Sequence, residues 1–208
     1  MATHTATPER RPGLGRIILS DDFSDPDLWT VAVSDQASAA IQDERLTIAV
    51  QPGVYMISQR RDLVFSDFYA EITARPSLCR GADDYGLLVR GSSIAYYRFT
   101  LSCNGTARVE RAVYTRQEER HVLQEAVFSG DVPPGAPGEV KIGVWAAGAE
   151  MRLFLNDRFQ FSLTDSNYPS GLIGVFARSS GDTPAAITFS DLTVRELDYS
   201  PPSETPQP

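Results

Sequence analysis

The chain has 208 residues, of which 42% are hydrophobic, and this is enough for one domain with a substantial core. Its formal net charge of −8 argues against a nucleic acid partner and against docking on an anionic membrane, since both require a cluster of basic residues. No apolar run approaches the roughly 20 residues that a membrane-spanning helix needs, and the N-terminal stretch MATHTATPERRPGLGR lacks the apolar run of a secretion signal.

Short segments in which apolar and polar residues alternate follow one another along the whole chain, separated by Gly, Pro, Asn, Asp and Ser. A period of two residues predicts β-strands, and no segment shows a sustained helical period. In chain order, the predicted strands are Arg16–Phe23, Arg45–Val50, Val54–Gln59, Phe68–Ala74, Tyr85–Arg90, Ile94–Ser102, Ala107–Thr115, Val122–Phe128, Glu139–Ala146, Glu150–Asn156, Phe159–Leu163, Leu172–Ala177 and Ala186–Glu196.

The turns between these strands support the same interpretation. SCNGTA contains an Asn-Gly pair between two strands, which is typical of a β-hairpin, and WAAGAEMRLFLNDRFQF indicates two consecutive hairpins. The segment TRQEERHVLQEAV is the best helical alternative, but its apolar residues also alternate and we predict a strand. So many short strands must pack as two sheets or as a barrel, so the predicted fold class is all-β and antiparallel.

The two ends of the chain differ from its middle in composition. THTATPERRPG and SPPSETPQP are rich in Thr, Pro and Ser and poor in large apolar residues, which is typical of disorder. We therefore predict one folded domain over residues 16–197, with disordered tails at 1–15 and 198–208. Such tails link surface modules to an anchor, or are ordinary frayed termini.

The two cysteines, Cys79 and Cys103, each follow a predicted strand. If the strands run up, down and up in one sheet, both cysteines lie at the same end and Cys79 can reach over the intervening strand. A disulfide fits an extracytoplasmic protein, whereas free thiols fit a cytoplasmic one. We favour the disulfide, and with it an extracytoplasmic or cell-surface location whose secretion signal lies outside this sequence.

The order of motifs resembles a known superfamily. ILSDDFSDPDLWTV is followed by FSDFYAEITA, DDYGLLVR, AYYRFTLSCNG, MRLFLNDRFQFSLTD, GLIGVFA and ITFSDLTVREL. Together they resemble the concanavalin A-like lectin/glucanase superfamily, and within it the laminin-G-like jelly-roll modules of bacterial surface proteins. The resemblance covers residues 16–197. It implies a sandwich of two antiparallel sheets, each of six or seven strands, with one concave face.

Several enzymes share this fold, so carboxylate pairs are the first features to test. The laminarinase-type glucanases carry a Glu-x-Asp-x-x-Glu pattern, which places alternate carboxylates on one face of a strand. Here Asp43–Glu44 and Glu118–Glu119 are adjacent pairs and therefore face opposite sides, and Glu110 stands alone on its strand. We predict a non-catalytic module, although distant pairs such as Glu71 with Glu110 stay open.

The resemblance also implies a structural calcium ion that joins the first strand to the last. Asp191 in FSDLTV matches the aspartate of the final strand, and Asp22 in SDDF is expected to approach the ion from the opening strand. Calcium takes six to eight oxygen ligands, so backbone carbonyls would supply most of them. In the alternative interpretation, both aspartates are solvated or cap turns.

The segment SIAYYRFTL points to a ligand-binding surface. Ala95, Tyr97, Phe99 and Leu101 share the face that we predict to be core, whereas Tyr96 and Arg98 share the opposite one. Aromatic rings stack on the C–H faces of sugars, while Arg, Gln and Glu bond sugar hydroxyls. The predicted ligand-binding residues on the concave face are Arg90, Tyr96, Arg98, Glu110, Tyr114 and Gln124.

Two other interpretations of these residues stay open. A solvated face of an antiparallel sheet carries Tyr, Arg and Glu without any ligand. We therefore predict weak carbohydrate or glycoconjugate binding, with a structural or protein–protein interaction domain as the alternative.

Trp145 lies opposite the apolar side chains of its strand, so it is either a solvent-facing stacking platform or partly buried.

Overall fold

The computed structural model describes residues 9–114 and 118–199, nearly all of them in β-strands and the turns between strands. The first eight strands are β1 (Leu14–Asp21), β2 (Ala32–Val33), β3 (Ala37–Gln42), β4 (Arg45–Val50), β5 (Tyr55–Gln59), β6 (Phe68–Leu78), β7 (Asp84–Gly91) and β8 (Ala95–Ser102). The rest are β9 (Thr106–Tyr114), β10 (Glu118–Phe128), β11 (Val140–Ala147), β12 (Glu150–Leu155), β13 (Arg158–Thr164), β14 (Leu172–Arg178) and β15 (Ala185–Leu197). One 3₁₀ turn spans Pro26–Leu28. Among the described residues, no helix has the length and apolar character to cross a membrane.

The strands form two antiparallel sheets. The nine-stranded sheet has the order β13-β12-β11-β6-β15-β4-β3-β2, and β1 pairs with the C-terminal part of β15. The six-stranded sheet has the order β10-β9-β8-β7-β14-β5. The predicted two-sheet sandwich is confirmed. The nine-stranded sheet is larger than predicted because it also contains β2 and β3, whose short side chains gave no clear alternation.

The core lies between the two sheets, and alternation within each strand decides which side chains enter it. On β8, Tyr97, Phe99 and Leu101 are buried in the core, as predicted. Ile142 and Val144 of β11 enter the same core from the nine-stranded sheet. Full burial of an aliphatic side chain of this kind contributes about 1.5–3 kcal/mol relative to exposure, so the shared core holds the sheets face to face.

Residues 10–13 lie across the outer face of the nine-stranded sheet, and we call them the N-terminal strap. Trp145 donates a hydrogen bond of 3.1 Å from Nε1 to the carbonyl oxygen of Pro12. The guanidinium of Arg11 lies 5.3 Å from the ring centroid of Tyr69 and 5.2 Å from that of Phe154. Trp145 is therefore fully buried beneath the strap and is not a solvent-facing platform.

The ends of the domain differ slightly from the predicted boundaries. β1 begins at Leu14, two positions before the predicted start at Arg16, and the backbone N–H of Asp198 donates to the carbonyl oxygen of Gly13. Pairing with the last strand therefore fixes the first residues of the domain. The rest of the predicted tails, residues 1–8 and 200–208, lies outside the described residues.

Cys79 and Cys103 form a disulfide, with their Cα atoms 5.9 Å apart. Cys79 follows β6 of the nine-stranded sheet and Cys103 follows β8 of the six-stranded sheet. The bond therefore ties the two sheets together at one end of the sandwich. The geometry that the sequence suggested, a reach across one strand within a single sheet, is wrong because β6 and β8 belong to different sheets.

Candidate functional site

The outer face of the six-stranded sheet, which points away from the core, carries a continuous group of aromatic and charged side chains. Tyr96 and Arg98 lie on this face because their neighbours on β8 fill the core. Arg98 is paired across the ladder with Glu110 of β9, and Tyr114 lies on the same face of β9 as Glu110. Cross-strand partners share a face, so these four predicted residues are brought together.

One half of this group is aromatic. The Tyr55 and Tyr96 hydroxyl oxygens are 3.0 Å apart, and the Tyr55 ring stacks on the Tyr114 ring with centroids 6.2 Å apart. With Ile57 and Ser93, these rings line an open pocket of about 310 Å³, which we call the tyrosine pocket. Tyr96 forms its floor, with 1% of its surface exposed, and the half-buried rings of Tyr55 and Tyr114 form its walls.

The pocket floor offers a hydroxyl that stays protonated at neutral pH. Burial raises the pKa of the Tyr96 hydroxyl above its ordinary value, and the neighbouring Tyr55 hydroxyl raises the pKa further. A protonated phenol both donates and accepts hydrogen bonds. The pocket therefore combines ring faces with a fixed polar group.

The other half of the group is charged, and we call Asp84, Arg98, Arg108 and Glu110 the ionic row. Arg98 donates from Nε and Nη2 to Glu110 Oε2 at 3.0 and 2.6 Å. Arg108 donates from Nη1 and Nη2 to the two carboxylate oxygens of Asp84 at 3.1 and 2.7 Å. Such charge-assisted pairs have a fixed geometry, so the ionic row is rigid. Asp84, Arg98 and Glu110 are buried, contrary to the exposed cluster that the sequence predicted, and Arg108 is the half-buried member of the row.

Arg98 connects the two halves. Its guanidinium lies 5.5 Å from the ring centroid of Tyr55 and 5.7 Å from that of Phe176, within the range of a cation–π contact. The aromatic rings and the ion pairs therefore hold each other in place. Among the described residues, no group of three or more His, Cys, Asp or Glu side chains is arranged to hold a metal ion.

Solved structures of other proteins have the same architecture. A carbohydrate-binding module of Bacillus subtilis, CBM66, superposes with a TM-score of 0.62 at 15% identity, covering 81% of this chain and 96% of that one. A B. subtilis protein of unknown function with a galectin-like fold gives a TM-score of 0.63 at 12% identity, covering 88% and 97% of the two chains. The catalytic domain of an endo-1,3-β-glucanase (laminarinase) from Thermotoga petrophila gives a TM-score of 0.59 at 9% identity, covering 88% of this chain and 98% of that one.

The chain has the concanavalin A-like jelly-roll fold. No family model matches the sequence, and no curated protein matches it. At these identities the likeness establishes the concanavalin A-like fold and leaves the ligand to be argued from the site itself.

Two residues that the sequence placed on the binding face are not part of it. Arg90 is 1% exposed and donates to the carbonyl oxygens of Ser66 and Gly148 at 2.7 Å, toward the nine-stranded sheet. Its backbone has a φ of 49° at an irregularity of the β7–β14 ladder, which breaks the alternation of β7. Gln124 lies between two register shifts and faces Val109, whose side chain is in the core.

The predicted calcium ligands lie at one end of the β1–β15 ladder. The pairing runs to Asp21 opposite Leu192, so Asp22 and Asp191 follow it at the same end. Asp22 accepts a hydrogen bond of 3.0 Å from the Ser24 backbone N–H, and Asp191 accepts one from the Ser190 hydroxyl. Both carboxylates have local partners, as in a turn cap, and calcium at this position of the concanavalin A-like fold stays a prediction.

The sequence analysis missed several residues of the site, all on strands that are distant in the chain. Tyr55 on β5 and Phe176 on β14 reach the site because β14 pairs with both β7 and β5. Asp84, at the start of β7, reaches it through its bond with Arg108. Period-two alternation predicts which face of its own strand each side chain occupies. It carries no information on which strands are neighbours in a sheet.

Proposed function

We propose that the protein is a non-catalytic recognition module that binds carbohydrate through the outer face of the six-stranded sheet. The observation that carries the proposal is the tyrosine pocket beside the ionic row. Ring faces of the half-buried Tyr55 and Tyr114 suit the C–H faces of a sugar, and the half-buried Arg108 of the ionic row suits its hydroxyl groups. Tyr96, Arg98, Asp84 and Glu110 are at most 5% exposed, so they support these groups from beneath and do not themselves contact a ligand.

The proposal of weak binding follows from the shape of the site. The pocket is open and has a volume of about 310 Å³, near the small end of ligand pockets. It accommodates one or two sugar rings and leaves part of their surface in water. Its side chains are already held by the Tyr55–Tyr96 contact and by the Arg98–Glu110 pair, so little ordering entropy opposes binding.

A binding role is favoured over catalysis because both carboxylates on this face are paired with arginines. A glycosidase requires two carboxyl groups that flank the bond, one of them free to give a proton. Glu110 accepts from Arg98, and Asp84 accepts from Arg108. Carbohydrate as the ligand class is further supported by the carbohydrate-binding module and the β-glucanase that share this fold.

The test is a glycan-array screen of the purified protein, followed by titration calorimetry with any glycan that binds. Tyr114→Ala removes one wall of the pocket, and we expect roughly a tenfold loss of affinity, which corresponds to about 1.4 kcal/mol. Tyr168→Ala is the matched control, because this half-buried tyrosine packs on Tyr97 on the core side of the sheet. Equal losses in both variants, or no glycan binding at all, would contradict the proposal.

The same screen with EDTA tests the calcium prediction. Loss of binding on chelation, reproduced by Asp191→Asn, would assign a calcium ion to the end of the β1–β15 ladder. Binding that is unchanged by EDTA, together with an unchanged melting temperature, would contradict the calcium prediction.

We further propose an extracytoplasmic location, because the Cys79–Cys103 disulfide persists in oxidising compartments.

A protein–protein interaction domain is the second candidate function. β10 is an edge strand of the six-stranded sheet, and it exposes 50% of Val122 and 85% of Phe128. Exposed apolar side chains along a sheet edge are typical of a surface on which another strand adds. A protein that binds no glycan but associates through this edge, and loses association in Phe128→Glu, would support this candidate.

A further inference from the structure

We propose that the glycan bound by this module carries an anionic group, a carboxylate or a sulfate, which Arg178 recognises. This inference rests on the proposed function and deepens it, because it names the chemical class of ligand for the same face.

Arg178 is the last residue of β14 and lies on the outer face of the six-stranded sheet. It is paired across one ladder with Tyr55 and across the other with Asp84. Tyr55 is a wall of the tyrosine pocket, and Asp84 belongs to the ionic row. Because cross-strand partners have Cβ atoms about 5 Å apart, Arg178 neighbours one residue from each half of the site.

Arg178 differs from the other arginines of this face in having no partner. Arg98 is bound to Glu110, and Arg108 is bound to Asp84, whereas the guanidinium of the half-buried Arg178 makes no hydrogen bond or ion pair within residues 9–114 and 118–199. Asp84, its ladder partner, accepts instead from Arg108 and from the hydroxyl of Ser102, and makes no ion pair with Arg178.

The charge of the face agrees with an anionic ligand. On the four inner strands β9, β8, β7 and β14, the outer face carries three arginines and two carboxylates, a net charge of +1. The whole chain has a formal net charge of −8. A positive patch on an acidic protein, centred on the one uncompensated guanidinium of these four strands, attracts an anion to this face.

A guanidinium is suited to this task by its geometry. Its planar fork gives two parallel hydrogen bonds to a carboxylate or a sulfate, whereas a neutral sugar hydroxyl takes only one. Tyr55, the ladder partner of Arg178, contributes its ring to the pocket that would hold the sugar carrying the charged group. The arrangement therefore selects acidic glycans over neutral ones of the same length.

The experiment measures the affinity of the full chain for three probes by titration calorimetry at low and moderate salt. The probes are a neutral laminari-oligosaccharide, an oligogalacturonate with carboxylates, and a κ-carrageenan oligosaccharide with sulfates. We expect an acidic probe to bind at least roughly tenfold more tightly than the neutral one, and to weaken as salt rises. Comparison of the two acidic probes identifies which anion the site prefers.

Arg178→Gln should abolish this preference, and Arg178→Lys should retain part of it because the charge remains while the fork is lost. Arg45→Gln is the matched control, since Arg45 is an exposed arginine at the start of β4 whose side chain has no hydrogen-bond partner in the described part of the chain. Melting temperatures of all three variants verify that they fold.

Each outcome decides the inference. Equal affinity for neutral and acidic probes, or an acidic preference that survives Arg178→Gln, would overturn the role of Arg178 while leaving carbohydrate binding intact, provided that Tyr114→Ala still weakens binding. Absence of binding to all three probes and to every glycan of the array would reject the proposed function, and the role of Arg178 with it.

Discussion

Loss of the Cys79–Cys103 disulfide should destabilise the protein by about 3.5 kcal/mol. The two cysteines are 24 residues apart in sequence. In the chain-entropy model, a loop of about this length reduces the entropy of the unfolded chain by roughly 12 cal/mol/K, which gives about 3.5 kcal/mol at 25 °C. For a domain of this size, that loss lowers the melting temperature by roughly 7–14 °C.

The assay is urea unfolding of the oxidised protein, of the protein reduced with a phosphine, and of a Cys79→Ala/Cys103→Ala variant. Both cysteines are buried in the main core, so alanine is preferred to serine because it adds no unpaired hydroxyl. The reduced protein and the double variant should agree within about 1 kcal/mol. A loss below about 1 kcal/mol in both would refute the argument that the bond between the sheets constrains the unfolded chain.

Two further predictions concern the strap and the buried tyrosines. Deletion of residues 1–12 removes the strap that covers Trp145, so acrylamide quenching of tryptophan fluorescence should rise. The buried Trp29 contributes a constant background, and unchanged quenching would contradict the role of the strap. Tyr97→Phe removes a hydroxyl that donates to Asp165 and should cost about 1–3 kcal/mol, whereas Tyr85→Phe removes a buried hydroxyl without a partner among the described residues and should cost nothing in urea unfolding. Burial raises the pKa of Tyr97 to about 12 from an ordinary value near 10, so part of the stability is lost as the pH rises from about 10 to 12, and Tyr97→Phe should show a smaller loss over that range.

Local alternation predicted much of the strand content. All the predicted strands overlap strands of the structure, and the Asn-Gly turn connects β8 to β9. The two missed strands, β2 and β3, are short, and β3 has the sequence ASAAIQ, whose first four residues are small and show no alternation in hydrophobicity. Where side chains are small, packing against β4 determines the strand, and a periodicity argument has nothing to detect.

Arg90 shows how a regular pattern fails at one residue. Alternation along β7 placed it on the face of Leu88, but a positive φ at Arg90 turns the chain at an irregularity of the ladder. The guanidinium then caps carbonyl groups at the end of the sandwich. Nothing in the sequence VRGSS distinguishes this arrangement from a continued strand, because the partners of Arg90 are 24 and 58 residues away.

The sequence by itself determined the fold class and the main strands. It also determined the outward direction of Tyr96, Arg98, Glu110 and Tyr114, because successive side chains of a strand point to opposite faces. Only the tertiary structure decided that β5 and β14 bring Tyr55 and Arg178 to the same face. Strand order is set by hydrogen bonds and packing between segments far apart in the chain, and these interactions leave no periodic trace in either segment. The candidate site lies at that junction of strands that are distant in sequence, so its composition emerged only from the fold.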